Sequence, residues 1–210
     1  MMNFIPRNLA ALAVAVALFA WVGPLVPATA AEQDPEAWKS AAQLFDNGDY
    51  EAALQKLRPL AESGTAEAQW YLGYAAVTGN GVRKDPAKAV EWFEKAAEQD
   101  HPMGLVSLGI MYALGDGVEQ DLARSFGLYT KAVKLGEGQA AKNIGTMYGM
   151  GQHVEKDLFE AAKWFVIGAA LGSEESQAIA TQMRAATPPK KLKKIEDAAW
   201  NWLKENGFVN

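Results

Sequence analysis

The sequence predicts an all-helical repeat fold built from stacked helical hairpins. Three observations lead to this prediction: a fixed repeat period, glycine-rich turns at one place in every unit, and apolar residues at helical spacing. The period is 36 residues, and it is seen in Leu72-Gly73, Leu108-Gly109 and Ile144-Gly145 and in Asp85, Asp121 and Asp157. A unit of this size cannot bury its own apolar face, so neighbouring units must stack.

The first helix of each unit is predicted to end at a turn that contains glycine. In the first unit this helix runs from Ala66 to Val77 without proline, and Gly79-Asn80-Gly81-Val82 follows it. Glycine adopts the left-handed backbone angles of such turns without the strain that a side chain adds. The turn recurs as Gly115-Asp116-Gly117-Val118, and in the third unit His153 replaces the second glycine.

The second helix of each unit is predicted to begin at an aspartate, whose carboxylate can accept hydrogen bonds from free backbone amides. At Asp85, a proline also occupies the first helical position, where its missing N–H costs nothing. On one face of each second helix, an aromatic residue lies between two small residues, at positions i, i+4 and i+7. The aromatic residues are Phe93, Tyr129 and Phe165 in the three successive units. The small partners are Ala89 and Ala96, Ser125 and Ala132, and Ala161 and Gly168.

Glycines inside the first helices predict close packing between helices. A glycine in a helix interior costs about 1 kcal/mol relative to alanine, so tight contact must offset that cost. The glycines in question are Gly73, Gly109 and Gly145.

The repeated residues resemble the Sel-1-like repeat family, a relative of the tetratricopeptide repeats. The resemblance implies an all-α fold, an α-solenoid of stacked antiparallel helix hairpins, and usually a role as an adaptor in a larger complex. The similarity covers about residues 65–172 and is carried in the first unit by Ala68-Gln69, Leu72-Gly73, Gly79-x-Gly81-Val82, Asp85, Lys88-Ala89, Trp92-Phe93 and Lys95-Ala96-Ala97.

The predicted domain organisation has capping helices on both sides of the repeats, because the end units of a solenoid meet water on their outer face. We expect a signal peptide at 1–30, an N-terminal capping hairpin at 31–64, repeats at 65–100, 101–136 and 137–172, and C-terminal capping helices at 173–210. In the last helix, Trp200 and Trp202 are expected to pack within the cap. The basic run Lys190-Lys191-Leu192-Lys193-Lys194 is expected to be a solvated face, with contact to anionic lipid or an acidic partner as the alternative.

The first thirty residues have the layout of a secretory signal peptide. Arg7 precedes an unbroken apolar run from Leu9 to Val22, and small residues end the segment at Ala28-Thr29-Ala30. We expect cleavage between Ala30 and Ala31 and a periplasmic protein. The alternative is an uncleaved membrane anchor, although the apolar run is shorter than the roughly 20 residues that span a bilayer.

Composition and motifs argue against catalysis, cofactors and nucleic acid. The chain has no cysteine, so disulfides, thiolate metal sites and cysteine nucleophiles are excluded. Asp and Glu number 25 against 20 Lys and Arg, without a basic stripe to follow a phosphate backbone. His101 and His153 fall in predicted loops without a second ligand, which favours loop or capping roles over metal binding. No catalytic residue, metal or cofactor is therefore expected.

The function expected from these features is that of a non-catalytic scaffold that binds an envelope protein as an adaptor or regulator. Two alternatives remain: a cell-wall-active or β-lactam-binding, enzyme-like member of the family, and a structural component of an export or polysaccharide-secretion complex. The family branch associated with β-lactamase activity is cysteine-rich, and this chain contains no cysteine, so that analogy does not transfer. Contact with the membrane is not expected once the signal is removed.

The expected partner-binding surface lies on the first helices, which line the inner wall of a hairpin solenoid. Leu72 and Ala76 are expected on the packed side. The alternative is that the apolar members Trp70, Val106 and Ile110 pack between adjacent repeats. The resemblance places nine residues on the wall: Glu67, Trp70 and Tyr74; Met103, Val106 and Ile110; and Gln139, Lys142 and Thr146.

Overall fold

The structure, a computed structural model, describes residues 37–209, which form ten α-helices and no strand. Consecutive helices pack against each other in antiparallel pairs, as the sequence predicts for stacked hairpins. None of the ten is long and apolar enough to cross a membrane. The helices are α1 (Ala37–Asp46), α2 (Tyr50–Glu62), α3 (Ala66–Thr78), α4 (Pro86–Glu98), α5 (Pro102–Leu114), α6 (Leu122–Lys134), α7 (Gly138–Met150), α8 (Leu158–Ala170), α9 (Glu174–Ala186) and α10 (Pro189–Glu205).

The three hairpins α3–α4, α5–α6 and α7–α8 repeat one local design, and α1–α2 and α9–α10 flank them. The predicted signal peptide and its cleavage site lie outside the described residues. So do residues 31–36 of the N-terminal cap and Asn210 of the C-terminal cap.

Aspartate caps begin the second helices, as predicted. An Asp85 carboxylate oxygen accepts a hydrogen bond from the Lys88 amide at 3.0 Å, and Asp121 accepts one from Arg124 at 2.9 Å. Asp157 caps two amides at once. In the turn before this last cap, His153 has a φ of +64°, so it keeps the left-handed conformation that glycine has in the first two units.

The aromatic residue of each second helix packs on the glycine of its partner first helix. A Cβ atom on Gly73 would lie 2.5 Å from Cε1 of Phe93, and one on Gly109 would lie 2.5 Å from Cε1 of Tyr129. The third pair, Gly145 and Phe165, is nearly as close, at 3.0 Å. The prediction that these helical glycines permit close approach is therefore confirmed, and the ring occupies the space that any side chain would fill.

The buried side chains form two clusters. The smaller one joins α1, α2 and α3, and the larger one extends from the C-terminal part of α3 to α10. Leu72 and Ala76 are buried, as predicted for the packed side of α3. The larger cluster joins α3, α5 and α7 to their partner helices, and α3 contributes to both clusters.

The last helix, α10, packs back on α8 through Trp202. The Trp202 ring lies 5.2 Å from the Trp164 ring and stacks on Phe208. Trp200 is half exposed, so the expectation that both tryptophans pack in the cap is right for Trp202 and wrong for Trp200. The reason is helical geometry: the packed face holds Ala199, and the next residue points about 100° away around the helix.

Candidate partner-binding face

The exposed sides of the first helices α3, α5 and α7 form one surface, which we call the inner face. First helices contact each other directly at α3 and α5, at α1 and α3, and at α7 and α9. One direct link is a hydrogen bond in which the Trp70 indole N–H of α3 donates to Oγ of Ser107 on α5 at 3.0 Å. Because the first helices of a hairpin solenoid line its concave side, we take this surface as the inner one.

The structure leaves eight of the nine predicted wall residues at least partly accessible and buries one. Tyr74 is 41% exposed, and Ile110 is exposed at the equivalent place in the next unit. Val106 is only 1% exposed and belongs to the larger core cluster, so its assignment to the wall is wrong. Its short side chain packs among its neighbours without reaching the surface. The alternative of packing between repeats holds for this residue. The others are half-buried: Glu67, Trp70, Met103, Gln139, Lys142 and Thr146.

Aromatic rings gather at the N-terminal end of the inner face. Trp70 and Tyr74 stack with centroids 5.5 Å apart and planes within 17°. The ring of Phe45 on α1 also lies close to Tyr71 and Tyr74, with centroids 5.4 and 6.0 Å away. We call Phe45, Trp70, Tyr71 and Tyr74 the aromatic end. Trp70 therefore links α3 to α5 through its hydrogen bond to Ser107, and it also forms part of the accessible surface.

Burial, and secondarily the carboxylate of Asp46, raise the pKa of the Tyr71 hydroxyl at the aromatic end. The group therefore stays protonated at neutral pH. It can donate a hydrogen bond as well as accept one.

Two exposed apolar residues extend the inner face beyond the predicted set. Leu114 is 69% exposed and Met150 is 67% exposed, each one helical turn after Ile110 and Thr146 respectively. Each is the last residue of its helix. The predicted wall sets stopped at Ile110 and Thr146. The i+4 spacing of Leu114 and Met150 from these two residues was the signal that could have found them.

The inner face of the third unit is polar, and its residues already make contacts within the protein. The ammonium group of Lys142 pairs with a Glu175 carboxylate on α9 at 2.6 Å. The Thr146 hydroxyl donates to the Lys142 carbonyl at 3.0 Å. The backbone amide of Gln139 is capped by Glu137. These contacts connect the third unit to its own helix ends and to the C-terminal cap.

His101 caps the first helix of the second unit. Its Nδ1 accepts a hydrogen bond from the Gly104 amide at 3.0 Å, and its ring lies 6.3 Å from that of Trp70. Burial lowers the pKa of His101, while the nearby carboxylates of Glu67 and Glu137 act in the opposite direction. Among residues 37–209, no group of three histidine, aspartate or glutamate side chains is placed to hold a metal ion.

Comparison with known protein families identifies the family of this chain. The family model of the Sel1 repeat matches residues 66–101, 102–137 and 138–173, just over half of the chain. The chain belongs to the Sel1 repeat family. Proteins with Sel1 repeats generally mediate protein–protein interactions, and their fold is typically a non-catalytic scaffold.

Two crystal structures resemble this Sel1 repeat protein. A Sel1 repeat protein from Oxalobacter formigenes has a TM-score of 0.68 and 28% identity, over 83% of this chain and 74% of that one. A protective antigen present in uropathogenic Escherichia coli strains and displaying an SLR fold has a TM-score of 0.66 and 29% identity, over 82% of this chain. The alignment spans 39% of that antigen's length. No curated protein is significantly similar in sequence.

We expect acid to weaken the Sel1 repeats through His101. The cap requires an unprotonated Nδ1, and the folded-state pKa is lowered below the ordinary value of 6.5. The folded state therefore binds fewer protons than the unfolded one. The stabilisation is present above the unfolded pKa and is lost as pH falls through the folded pKa.

The check compares denaturant melts of the parent and His101→Asn at about pH 7.5 and about pH 5. Asparagine is a good helix cap and does not titrate in this range. Between the two pH values the parent should lose more stability than the variant. Equal losses would show that His101 does not contribute to the acid sensitivity.

Proposed function

We propose that the chain is a periplasmic scaffold that binds an envelope protein through the inner face, as an adaptor or regulator. The observation that carries the proposal is the row of large exposed apolar side chains on successive first helices. The row comprises Tyr74, Ile110, Leu114 and Met150. Large apolar side chains exposed in a row on rigid helices are characteristic of protein-binding surfaces.

The surface suits a protein partner better than a small molecule. Its apolar groups are distributed over three helices of a rigid solenoid, and extended surfaces of this kind bind protein segments. A small-molecule site would instead gather apolar and polar groups around one enclosed cavity.

The binding test compares two leucines of nearly equal exposure. Leu114 lies on the inner face, and Leu158, which is 63% exposed, begins the second helix α8. We expect Leu114→Gln to weaken capture of the envelope partner about tenfold and Leu158→Gln to leave it unchanged. Both variants should melt close to the parent because exposed side chains contribute little to stability.

The same capture assay separates the two roles of Trp70. Tyr74→Ala should reduce capture with little change in melting, whereas Trp70→Ala should reduce both, because it also removes the hydrogen bond to Ser107. Partner capture that is unchanged by both Leu114→Gln and Tyr74→Ala would contradict the proposed surface. Turnover of peptidoglycan or a β-lactam by the purified protein would instead favour the enzyme-like alternative.

The periplasmic location is supported by the layout of residues 1–30. We expect the intact mass of the protein from its native host to correspond to a chain that begins at Ala31. Retention of the full-length chain in the membrane fraction would favour the uncleaved anchor.

A further inference from the structure

Charge is distributed unevenly along the inner face. Helix α5 has no charged residue, α3 has only Glu67, and α7 has only Lys142. Lys142 is paired with Glu175, so its charge is compensated within the protein. The inner face is therefore uncharged over α5, and it carries one negative charge without a salt-bridge partner in the described part of the chain, that of Glu67, at the α3 end.

Carboxylates of neighbouring residues lie close enough to the aromatic end and to His101 to act on them electrostatically. Asp46 acts on the Tyr71 hydroxyl, and Glu67 and Glu137 act on His101, whose ring lies 6.3 Å from that of Trp70. Within residues 37–209, neither Asp46 nor Glu67 has a salt-bridge partner. The aromatic end thus combines an exposed tyrosine ring with carboxylates that are free to pair with a cation.

Contacts elsewhere in the chain show that these repeats accommodate cations on aromatic rings. The Lys95 ammonium lies 4.2 Å from the ring centroid of Trp92, and the Arg124 guanidinium lies 4.3 Å from that of Tyr112. In each case the ring's negative face attracts the cation. At the stacked pair Trp70–Tyr74, no lysine or arginine among residues 37–209 lies over either ring.

We propose that the aromatic end receives a lysine or arginine side chain from a basic segment of the protein partner. The cation lies against the Trp70–Tyr74 ring pair and is attracted by the carboxylate of Glu67, one helical turn before Trp70. The inference rests on the proposed function and adds the chemistry of the partner. Neighbouring packed helices lie about 8–10 Å apart. If the partner segment is extended, its apolar side chain about three residues from the basic residue should therefore reach Ile110 or Leu114.

The probe is a phage-displayed library of random peptides, selected on protein purified from expression of the full chain. Enriched sequences should pair a lysine or arginine with apolar residues. A synthetic enriched peptide should bind about tenfold more weakly to Tyr74→Leu, which keeps an apolar side chain but removes the ring. It should bind about threefold more weakly to Glu67→Gln at low salt, and this loss should shrink as salt is added. The matched control is Glu98→Gln, an exposed glutamate on second helix α4.

The outcomes separate this inference from the proposed function. If peptides require Leu114 but show no preference for lysine or arginine and bind Glu67→Gln as tightly as the parent, the basic-segment inference is wrong and the inner face remains a binding surface. If no enriched peptide is weakened by Leu114→Gln or by Tyr74→Leu, the inner face does not bind peptides and the proposed function fails as well.

Discussion

Replacing Phe93 with alanine is expected to lower the free energy of unfolding by about 3–5 kcal/mol. The ring is buried and packs directly on the backbone of α3 at Gly73. The cavity would be lined partly by helix backbone and by Ala89 and Ala96, which have no longer side chains to fill it. Because each repeat depends on its neighbours, the loss should be felt across the α3–α5 interface.

Denaturant melts followed by circular dichroism measure this effect, and Trp200→Ala serves as the control. Trp200 is also aromatic but half exposed, so its removal should change stability by no more than about 0.5 kcal/mol. A loss below about 1 kcal/mol for Phe93→Ala would mean that the aromatic stripe does not hold the hairpin together.

Gly117→Ala is expected to be the second severe substitution, with a loss of about 2–4 kcal/mol. Gly117 has a φ of +71°, which strains any residue with a Cβ atom. The added Cβ would also overlap the Pro86 carbonyl group and the Ala87 amide at the start of α4. Since both are backbone atoms, the second repeat would have to move relative to the first.

Two other glycines separate the contributions to this loss. Gly172 has a φ of +88° with open space around it, so Gly172→Ala should cost only the backbone strain, about 1 kcal/mol. Gly127 lies within α6, also in open space, so Gly127→Ala should stabilise the fold by about 0.5–1 kcal/mol. If Gly117→Ala costs no more than Gly172→Ala, the close contact with Pro86 does not constrain the stack.

The sequence predicted best the features that depend on neighbouring residues only and that recur in all three units. The caps at Asp85, Asp121 and Asp157 need only a carboxylate beside free amides. The pairing of Phe93 with Gly73 was not deduced as a contact, although a glycine in a helix and a flanked aromatic each indicated close packing. Repetition made these signals reliable.

The inner face was harder to predict because exposure depends on contacts that are distant in sequence. Val106 and Ile110 are both β-branched and lie four residues apart on α5, yet one is buried and the other is exposed. The bond from Trp70 to Ser107 spans 37 positions, and no local pattern indicates it. Leu114 was missed because the predicted face stopped at Ile110, one turn before the end of α5.

The central claim is that the inner face is where a partner protein binds, and site-specific photocrosslinking in the native host tests it most directly. A benzophenone amino acid would replace Leu114 or Met150 on the inner face, and Leu135 or Leu158 as exposed controls on the rest of the repeats. The account predicts that positions 114 and 150 both crosslink to the same envelope protein and that positions 135 and 158 do not. Adducts of equal yield at all four positions, or adducts confined to 135 and 158, would contradict it.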